Sequence, residues 1–219
     1  MGDAHEPVVV VGLGRFGAAI ALELSRQGTE VLAIDSSRDV VQAVSRELSH
    51  VVTADCTDLE TLRQLGVGDY RRAVVAIGDH LEDSILVTSL LVDLEVPDIW
   101  ARAISAHHGR ILERIGAHHV VFPEQDMGQR VAHLVSGTAL DYLRLDDGCA
   151  LAKLRPPRGL IDVPLGSSEI KDRYDVTVVS IKRRDEEFIS ATSDTVVRKG
   201  DIVLVVGRDE DVERLLEDS

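Results

Sequence analysis

The sequence is poor in aromatic residues and in cysteine, and both shortages limit what the protein can be. Phe, Tyr and Trp make up only 3% of the 219 residues, so the core has to be built from Val, Leu, Ile and Ala. Strands covered by helices on both faces are typically rich in these aliphatic residues. The two cysteines, Cys56 and Cys149, lack a CxxC spacing, which argues against a disulfide framework and a zinc site. The composition favours an α/β protein of a reducing, cytoplasmic compartment.

Clustered positive charge and long apolar runs are also missing. Asp and Glu outnumber Lys and Arg by 38 to 24, and no stretch gathers the basic residues that a nucleic-acid backbone requires. No apolar run approaches the ~20 residues that span a bilayer. The opening MGDAHEP has no basic segment followed by an apolar one. We therefore expect no nucleic-acid partner, no direct membrane insertion and no secretory leader.

Short runs of Val and Ile alternate with segments of helical period through the first two thirds of the chain, beginning with VVVVG, AAIALELSRQG and EVLAID. This rhythm predicts βαβ units in a Rossmann-like, doubly wound parallel sheet of six strands. A last helix, predicted over about 124–136, serves as a crossover or a dimer contact. Mostly strand-like segments and a terminal helix follow, typical of a small α+β domain. We predict a nucleotide-binding domain over 1–137 and a second domain over 138–219.

A GxGxxG pattern ends the first strand and opens the first helix, in the segment VVVVGLGRFG. Gly12 makes the tight turn, Gly14 removes the Cβ that would block a diphosphate, and Gly17 lets the helix pack close to the sheet. The anion would lie at the positive end of the helix dipole. Asp35, at the end of the second strand, is placed to accept hydrogen bonds from both ribose hydroxyls. The pattern predicts a bound adenine nucleotide.

The two residues between the second and third glycines belong to the same candidate site. Phe16 lies on the first helical turn, and the Arg15 guanidinium is placed either to bind a terminal phosphate or to remain solvated. The first alternative favours ATP or ADP over NAD(H).

Further candidate ligand contacts end the third and fourth strands. Asp55, Cys56 and Thr57 stand where an adenine ring lies in such folds, although Asp55, Thr57 and Asp58 also fit an N-cap run for the next helix. Ile77 and Gly78 are predicted to bring the backbone of the fourth strand close to the ligand.

No catalytic constellation is evident in the sequence. There is no GxSxG elbow, no GxxxxGK[ST] loop and no clear general acid or base for hydride transfer. The histidine pairs 107–108 and 118–119 lack the HxxxH or HxH spacing of a metal site. We predict a protein that is not an enzyme.

Several motifs together resemble the regulatory subunits of bacterial potassium uptake systems, the RCK (KTN) family of KtrA/TrkA type. They are VVVVGLGRFG, AID, ADCTD, VVAIGD, IWARA and VVFPEQDMGQRVA, followed by SSEIKDRYDVTVVSIKR and VRKGDIVLVVG. The resemblance covers nearly the whole chain and implies TrkA-N and TrkA-C domains. It implies a cytoplasmic subunit on the inner face of the plasma membrane, held there by a KtrB/TrkH-like potassium channel subunit. It also implies homodimers that assemble into an octameric ring, with bound ATP or ADP setting the shape of the ring.

The resemblance also implies roles for residues outside the glycine loop. Arg102 matches a basic position that faces the ligand. Glu124 matches a carboxylate that lies near the phosphates of the same or a neighbouring subunit, which indicates Mg²⁺ or Ca²⁺ with ATP. Members of the family often bind cyclic di-AMP in the second domain. Here Lys171, Asp172 and Thr192 depart from the family pattern, which weakens that expectation.

Two other functions remain open at this point. One is an NAD(H)-dependent oxidoreductase that draws its catalytic group from a second subunit. The other is a nucleotide-sensing regulator of a different transporter.

Overall fold

The computed structural model describes residues 6–145 and 148–218, which form two compact units, Met1–Pro123 and Glu124–Ser219. Most of the segment considered for a secretory leader, residues 1–5, lies outside the described residues. Among the described residues, no helix is both long enough and apolar enough to cross a bilayer.

The first unit is an open parallel sheet with helices packed against it. Its strands are β1 (Val8–Val11), β2 (Val31–Asp35), β3 (His50–Thr53), β4 (Arg72–Val75), β5 (Asp98–Arg102) and β6 (His119–Val121). Its helices are α1 (Arg15–Arg26), α2 (Arg38–Val44), α3 (Leu59–Gln64), α4 (Leu81–Asp93) and α5 (Ala106–Ile115). In this described part, the strand order is β3-β2-β1-β4-β5-β6. Every neighbouring pair is parallel, which confirms the predicted Rossmann-like sheet.

The valines of β1 show how the sheet is covered on both faces. Val9 and Val11 belong to one buried cluster, which includes side chains of α3, α4 and α5. Val8 and Val10 belong to a second cluster, which includes side chains of α1 and α2. Since side chains alternate between the faces of a strand, a run of four buried valines is typical of a central parallel strand.

Part of one sheet face remains open in this unit. A groove of about 480 Å³ lies there. It is lined by Val8, Phe16, Ile20, Leu24, Gln27, Thr29, Arg72, Val74, Trp100 and Val121. Trp100 is 38% exposed, and its ring stacks on His119 with ring centroids 4.0 Å apart.

Most helices of the first unit begin at a capping side chain. Ser37 accepts from the Val40 N–H and Asp58 from the Thr61 N–H. Ser105 accepts from the His108 N–H at the start of α5. These caps satisfy N–H groups that have no partner within the helix.

The second unit is an antiparallel sheet with helices, which agrees with the small α+β domain that the sequence predicted. Its strands are β7 (Asp141–Leu145), β8 (Cys149–Leu154), β9 (Thr177–Lys182), β10 (Phe188–Ser190) and β11 (Ile202–Arg208), in the order β10-β9-β11-β8-β7 among the described residues. Its helices are α6 (Pro123–Ser136), which begins at the last residue of the first unit, α7 (Ile170–Tyr174) and α8 (Asp209–Glu217). The compact second unit thus includes most of α6, whereas the predicted boundary near Gly137 follows this helix and stays a prediction.

Helix α6 makes polar contacts with its own unit, and several of its apolar side chains are exposed. Arg130 donates two hydrogen bonds to the Asp141 carboxylate, at 2.8 and 3.0 Å, and these bonds hold the pKa of Asp141 below its usual range. Four large apolar side chains of the helix are exposed, namely Met127, Val131, Leu134 and Val135.

Candidate functional site

A cavity of about 330 Å³ opens at the carboxyl ends of the parallel strands in the first unit. Ligands of open α/β sheets bind at this edge, where the strand order reverses between β1 and β4. The lining comprises Val11, Gly12, Gly14, Ile34, Asp35, Ser36, Ser37, Val40, Ala54, Asp55, Cys56, Thr57, Ala76, Ile77, Gly78, Asp79, His80, Asp83, Val87 and Arg102. The cavity therefore gathers residues that follow β1, β2, β3 and β4, together with the last residue of β5.

The three glycines of the loop meet different demands. Gly12 has φ +89°, and a Cβ there would lie 3.1 Å from the Ile77 backbone nitrogen, so the turn favours glycine twice over. A Cβ on Gly17 would overlap the Gly12 carbonyl oxygen, which explains the close packing of α1 on the loop. A Cβ on Gly14 would meet no protein atom within 4 Å, so this glycine leaves space beside the cavity that it lines.

The amino end of α1 is prepared for an anion. No side chain caps this helix at Gly14, and its first turn carries no acidic residue. By contrast, α2 and α3 each begin with a capping side chain and an acid in the first turn. The first N–H groups of a helix lack partners within it and carry the positive end of the helix dipole. The open space at Gly14 thus fits a phosphate group.

Asp35 ties the glycine loop to the turn after β2. One carboxylate oxygen accepts from the Leu13 N–H at 2.6 Å, and the other accepts from the Ser37 N–H at 2.8 Å. Because a carboxylate has about four acceptor sites, both oxygens keep capacity for ribose hydroxyls. Ser36 and Ser37 line the same end of the cavity.

The residues after β3 form a second polar edge of the cavity. Asp55 accepts from the hydroxyl of Thr57 at 2.7 Å and from its N–H at 2.9 Å, and these bonds hold the pKa of Asp55 below its usual range. The N-cap of α3 is Asp58, so Asp55 is not the cap of that helix. Cys56 is buried, and its burial, followed by the charges of Asp55 and Asp35, raises the pKa of the thiol to about 12. Cys56 therefore lines the cavity as a neutral group.

Arg102 closes the cavity on the side of β5. Its guanidinium lies against Gly78, where a Cβ would come within 2.6 Å of Cζ. The same guanidinium lies 5.9 Å from the centroid of the Phe16 ring. Phe16 itself lines the open groove and not the cavity.

The structure does not bring all predicted contacts together. Arg15 is the first residue of α1, but its side chain is exposed and it is not among the lining residues. Glu124 lies in the first turn of α6, in the second compact unit. Ligand binding by these residues stays a prediction.

Sequence reasoning missed several polar lining residues. They are Ser36, Ser37, Asp79, His80 and Asp83. The available signal was their position after β2 and β4, with Asp83 on the first turn of α4, since the carboxyl ends of neighbouring parallel strands meet at one edge of the sheet.

The charges of the lining limit what can enter. Asp35, Asp55, Asp79 and Asp83 supply four carboxylates, against the single guanidinium of Arg102 among the described lining residues. In the described part of the chain, no group of three or more His, Cys, Asp or Glu side chains could hold a metal ion. A cation at this cavity would thus need further oxygen ligands, such as those of a nucleotide phosphate.

Family comparisons agree with this architecture. Residues 8–123 match the TrkA-N domain and residues 150–218 match the TrkA-C domain. The Ktr system potassium uptake protein C of Bacillus subtilis is 38% identical, over 94% of this chain and 93% of the relative. The Ktr system potassium uptake protein A of the same organism is 34% identical, over 96% and 95%.

A solved structure adds a nucleotide to the comparison. The structure described as GsuK bound to ADP is 27% identical, has a TM-score of 0.52, and covers 59% of this chain, which in turn covers 34% of that one. From both domain matches and the two Bacillus relatives, the chain belongs to the TrkA-N and TrkA-C family of Ktr potassium uptake proteins, which are regulatory proteins and not enzymes.

Proposed function

We propose that the chain is a nucleotide-sensing regulatory subunit that gates a potassium channel or transporter of the Ktr or Trk type. The observation that carries this proposal is the uncapped amino end of α1, with open space at Gly14, in the same cavity as the anchored Asp35 carboxylate. This pairing offers one element for phosphate and another for ribose. The ligand class it supports is ATP or ADP, with NAD(H) as the alternative.

Different lining residues contact the diphosphate, the ribose and the adenine of the ligand. The diphosphate lies over the amino end of α1, next to Gly12 and Gly14, with Arg102 as counter-charge. The ribose hydroxyls donate to Asp35. The adenine lies against the edge formed by Asp55 and Cys56. The cavity of about 330 Å³ is at the lower end of ligand-site volumes, which suits one nucleotide rather than a whole dinucleotide.

The four carboxylates of the lining also repel a triphosphate electrostatically. ATP brings three to four negative charges into this lining, so a divalent cation is needed to offset the repulsion. We expect Mg²⁺ or Ca²⁺ to accompany ATP, with Glu124 as the protein carboxylate. Glu124→Gln should therefore reduce the gain in ATP affinity that Mg²⁺ produces, and leave ADP affinity unchanged.

The sensing step requires two states of an assembly. We propose homodimers that build an octameric ring beneath a KtrB/TrkH-like membrane subunit. A nucleotide shifts such a ring only by the difference in its affinity for the two ring shapes. ATP and ADP differ by one phosphate and its cation, which supplies that difference.

The test is calorimetric titration of nucleotide-free protein with ATP, ADP, NAD⁺ and adenosine, using wild type, Asp35→Ala and Asp39→Ala. Asp35→Ala should lower the affinity for every adenosine ligand by about tenfold or more, because a charge-assisted hydrogen bond is lost. Asp39 is an exposed acid on the first turn of α2 and serves as the matched control.

A potassium uptake assay completes the test. A strain without its own regulatory subunit should grow at low potassium when this chain is expressed with a Ktr channel subunit, and Asp35→Ala should abolish that growth. A wild-type protein that binds no adenine nucleotide would disprove the proposal.

Cyclic di-AMP is a weaker candidate for the second unit. Lys171 and Asp172 are exposed on the short α7, and the Thr192 N–H donates to Thr195. Calorimetric titration with cyclic di-AMP tests this binding, and the absence of a binding heat would show that cyclic di-AMP is not a ligand.

A further inference from the structure

We infer that Gly78 and Phe16 are positioning residues that hold the Arg102 guanidinium at the phosphate end of the cavity. The inference deepens the proposed nucleotide site and rests on it. It assigns Gly78 to the arginine rather than to direct approach of a ligand.

The first argument is the space around Gly78. Its φ does not lie in the left-handed region, so the backbone would accept another residue. The nearest atoms that an added Cβ would meet all belong to Arg102. They are Nη1, Cζ at 2.6 Å and Nη2 at 2.9 Å. The missing side chain therefore leaves room for the guanidinium.

The second argument is the aromatic ring near the same guanidinium. The Arg102 Cζ lies 5.9 Å from the Phe16 centroid, within the range of a cation–π contact. Phe16 is the second residue of α1, so its backbone belongs to the helix end where we place the phosphates. Gly78 and Phe16 thus fix the Arg102 guanidinium relative to the anion site.

The third argument is the backbone that carries the arginine. Arg102 is the last residue of β5 and pairs in register with Val121 of β6. The sheet therefore fixes the backbone of Arg102, and the contacts of its side chain set where the guanidinium lies. Holding a long side chain before binding removes part of the entropy that a ligand would otherwise have to overcome.

The fourth argument is the charge of the lining. Arg102 is the one Lys or Arg among the described lining residues, which include four aspartates. If the guanidinium moved away, a phosphate would face carboxylates without a counter-charge. Its position should thus decide phosphate affinity and have little influence on the nucleoside.

The experiment compares ADP with adenosine by calorimetry on the full chain. Gly78→Ala should lower ADP affinity about tenfold or more, in line with the loss of a charge-assisted hydrogen bond, and change adenosine affinity less than about twofold. Arg102→Ala should show the same pattern. The double variant should lose no more than Arg102→Ala alone, because Gly78 acts only through the arginine.

Two further variants keep the inference testable. Gly68→Ala is the matched control, since its Cβ would make only ordinary contact with the Leu94 carbonyl oxygen at 3.6 Å, and it should bind like wild type. Should Gly78→Ala fail to fold, Phe16→Leu replaces it, with an expected loss of about two- to fivefold for ADP only.

The outcomes separate this inference from the proposed function. The positioning role would be disproved if ADP and adenosine lost affinity equally, if the losses in the double variant were additive, or if no affinity was lost. The proposed nucleotide site would stand in each of these cases. Failure of the wild type to bind either ligand would overturn both.

Discussion

At the scale of single residues, the cavity is shaped by its own hydrogen bonds before any ligand arrives. Asp35 accepts from Leu13 and Ser37, and Asp55 accepts from Thr57. Each carboxylate is thereby fixed at the end of a strand, where its charge can select a ligand. Arg15 differs, because its exposed side chain is not constrained by the cavity.

Arg15 should therefore contact only a part of the ligand that extends beyond the cavity. We predict that Arg15→Ala reduces the preference for ATP over ADP by about two- to fivefold, the size of an exposed ion pair. Calorimetry with both nucleotides measures it. Arg26→Ala, which removes an exposed arginine paired with Glu23 at the other end of α1, is the control. An unchanged preference in Arg15→Ala would contradict the role.

Cys56 should be chemically inert in the folded protein. With its pKa raised to about 12, its thiolate fraction at pH 8 is on the order of 10⁻⁴, and the thiolate is the reactive form. We predict that iodoacetamide at pH 8 leaves Cys56 unmodified while the half-buried Cys149 reacts. Mass spectrometry of labelled protein measures both sites.

The variant Cys149→Ser isolates this effect, because Cys56 is then the remaining cysteine of the sequence. Native protein should stay unlabelled, and urea should expose one thiol. Stoichiometric labelling of the native variant at pH 8 would show that Cys56 is accessible as a thiolate.

At the scale of elements, periodicity predicted the strands and the glycine loop well, and it failed where side chains outside regular elements matter. The four valines of β1 and the GxGxxG turn follow from alternation and from backbone geometry. The first turn of α5 carries no apolar period, because two histidines follow its cap Ser105 closely, so periodicity alone does not indicate where this helix begins. The contact of Gly78 with Arg102 joins a residue of the loop after β4 to the last residue of β5, which no spacing along the chain encodes.

Helix α5 contains a buried histidine that should make the stability of the first unit depend on pH. His108 is 1% exposed, and its Nδ1 accepts from the Ile104 N–H at 3.4 Å. Burial lowers the pKa of His108. The unfolded chain therefore binds more protons below its histidine pKa of about 6.5. Stability from this group is present above that pH and is lost as pH falls toward the folded pKa.

We predict that urea denaturation at pH 7.5 and pH 5.5 shows a loss of stability that is smaller in His108→Asn than in wild type. Asn keeps an acceptor but does not titrate. His107→Asn, at the exposed neighbouring position, should retain the wild-type dependence. Equal pH dependence in all three proteins would show that His108 does not titrate on unfolding.

At the scale of the whole molecule, the surface of α6 fits the proposed assembly. Val135 is 82% exposed and Met127 is 53% exposed. Grouped apolar side chains on a surface mark interaction sites, and closed symmetric oligomers cover such surfaces with copies of themselves.

We predict a species of about eight times the 23.9 kDa subunit mass by light scattering after size exclusion. Val135→Asp should shift the protein to smaller species, because a charge replaces an apolar contact. Gln125→Asp, which adds the same charge to an exposed position of α6, should keep the wild-type mass. A monomeric wild type would contradict the proposed ring.

The open groove of the first unit has a final consequence, because Phe16 lines it and also lies within cation–π distance of the Arg102 guanidinium. A molecule that bound in the groove and moved this ring would change its contact with the guanidinium. Thermodynamic reciprocity then requires that a nucleotide drawing on Arg102 alter the affinity of that molecule by the same factor. Through Phe16, binding in the groove and binding in the cavity would then be energetically coupled.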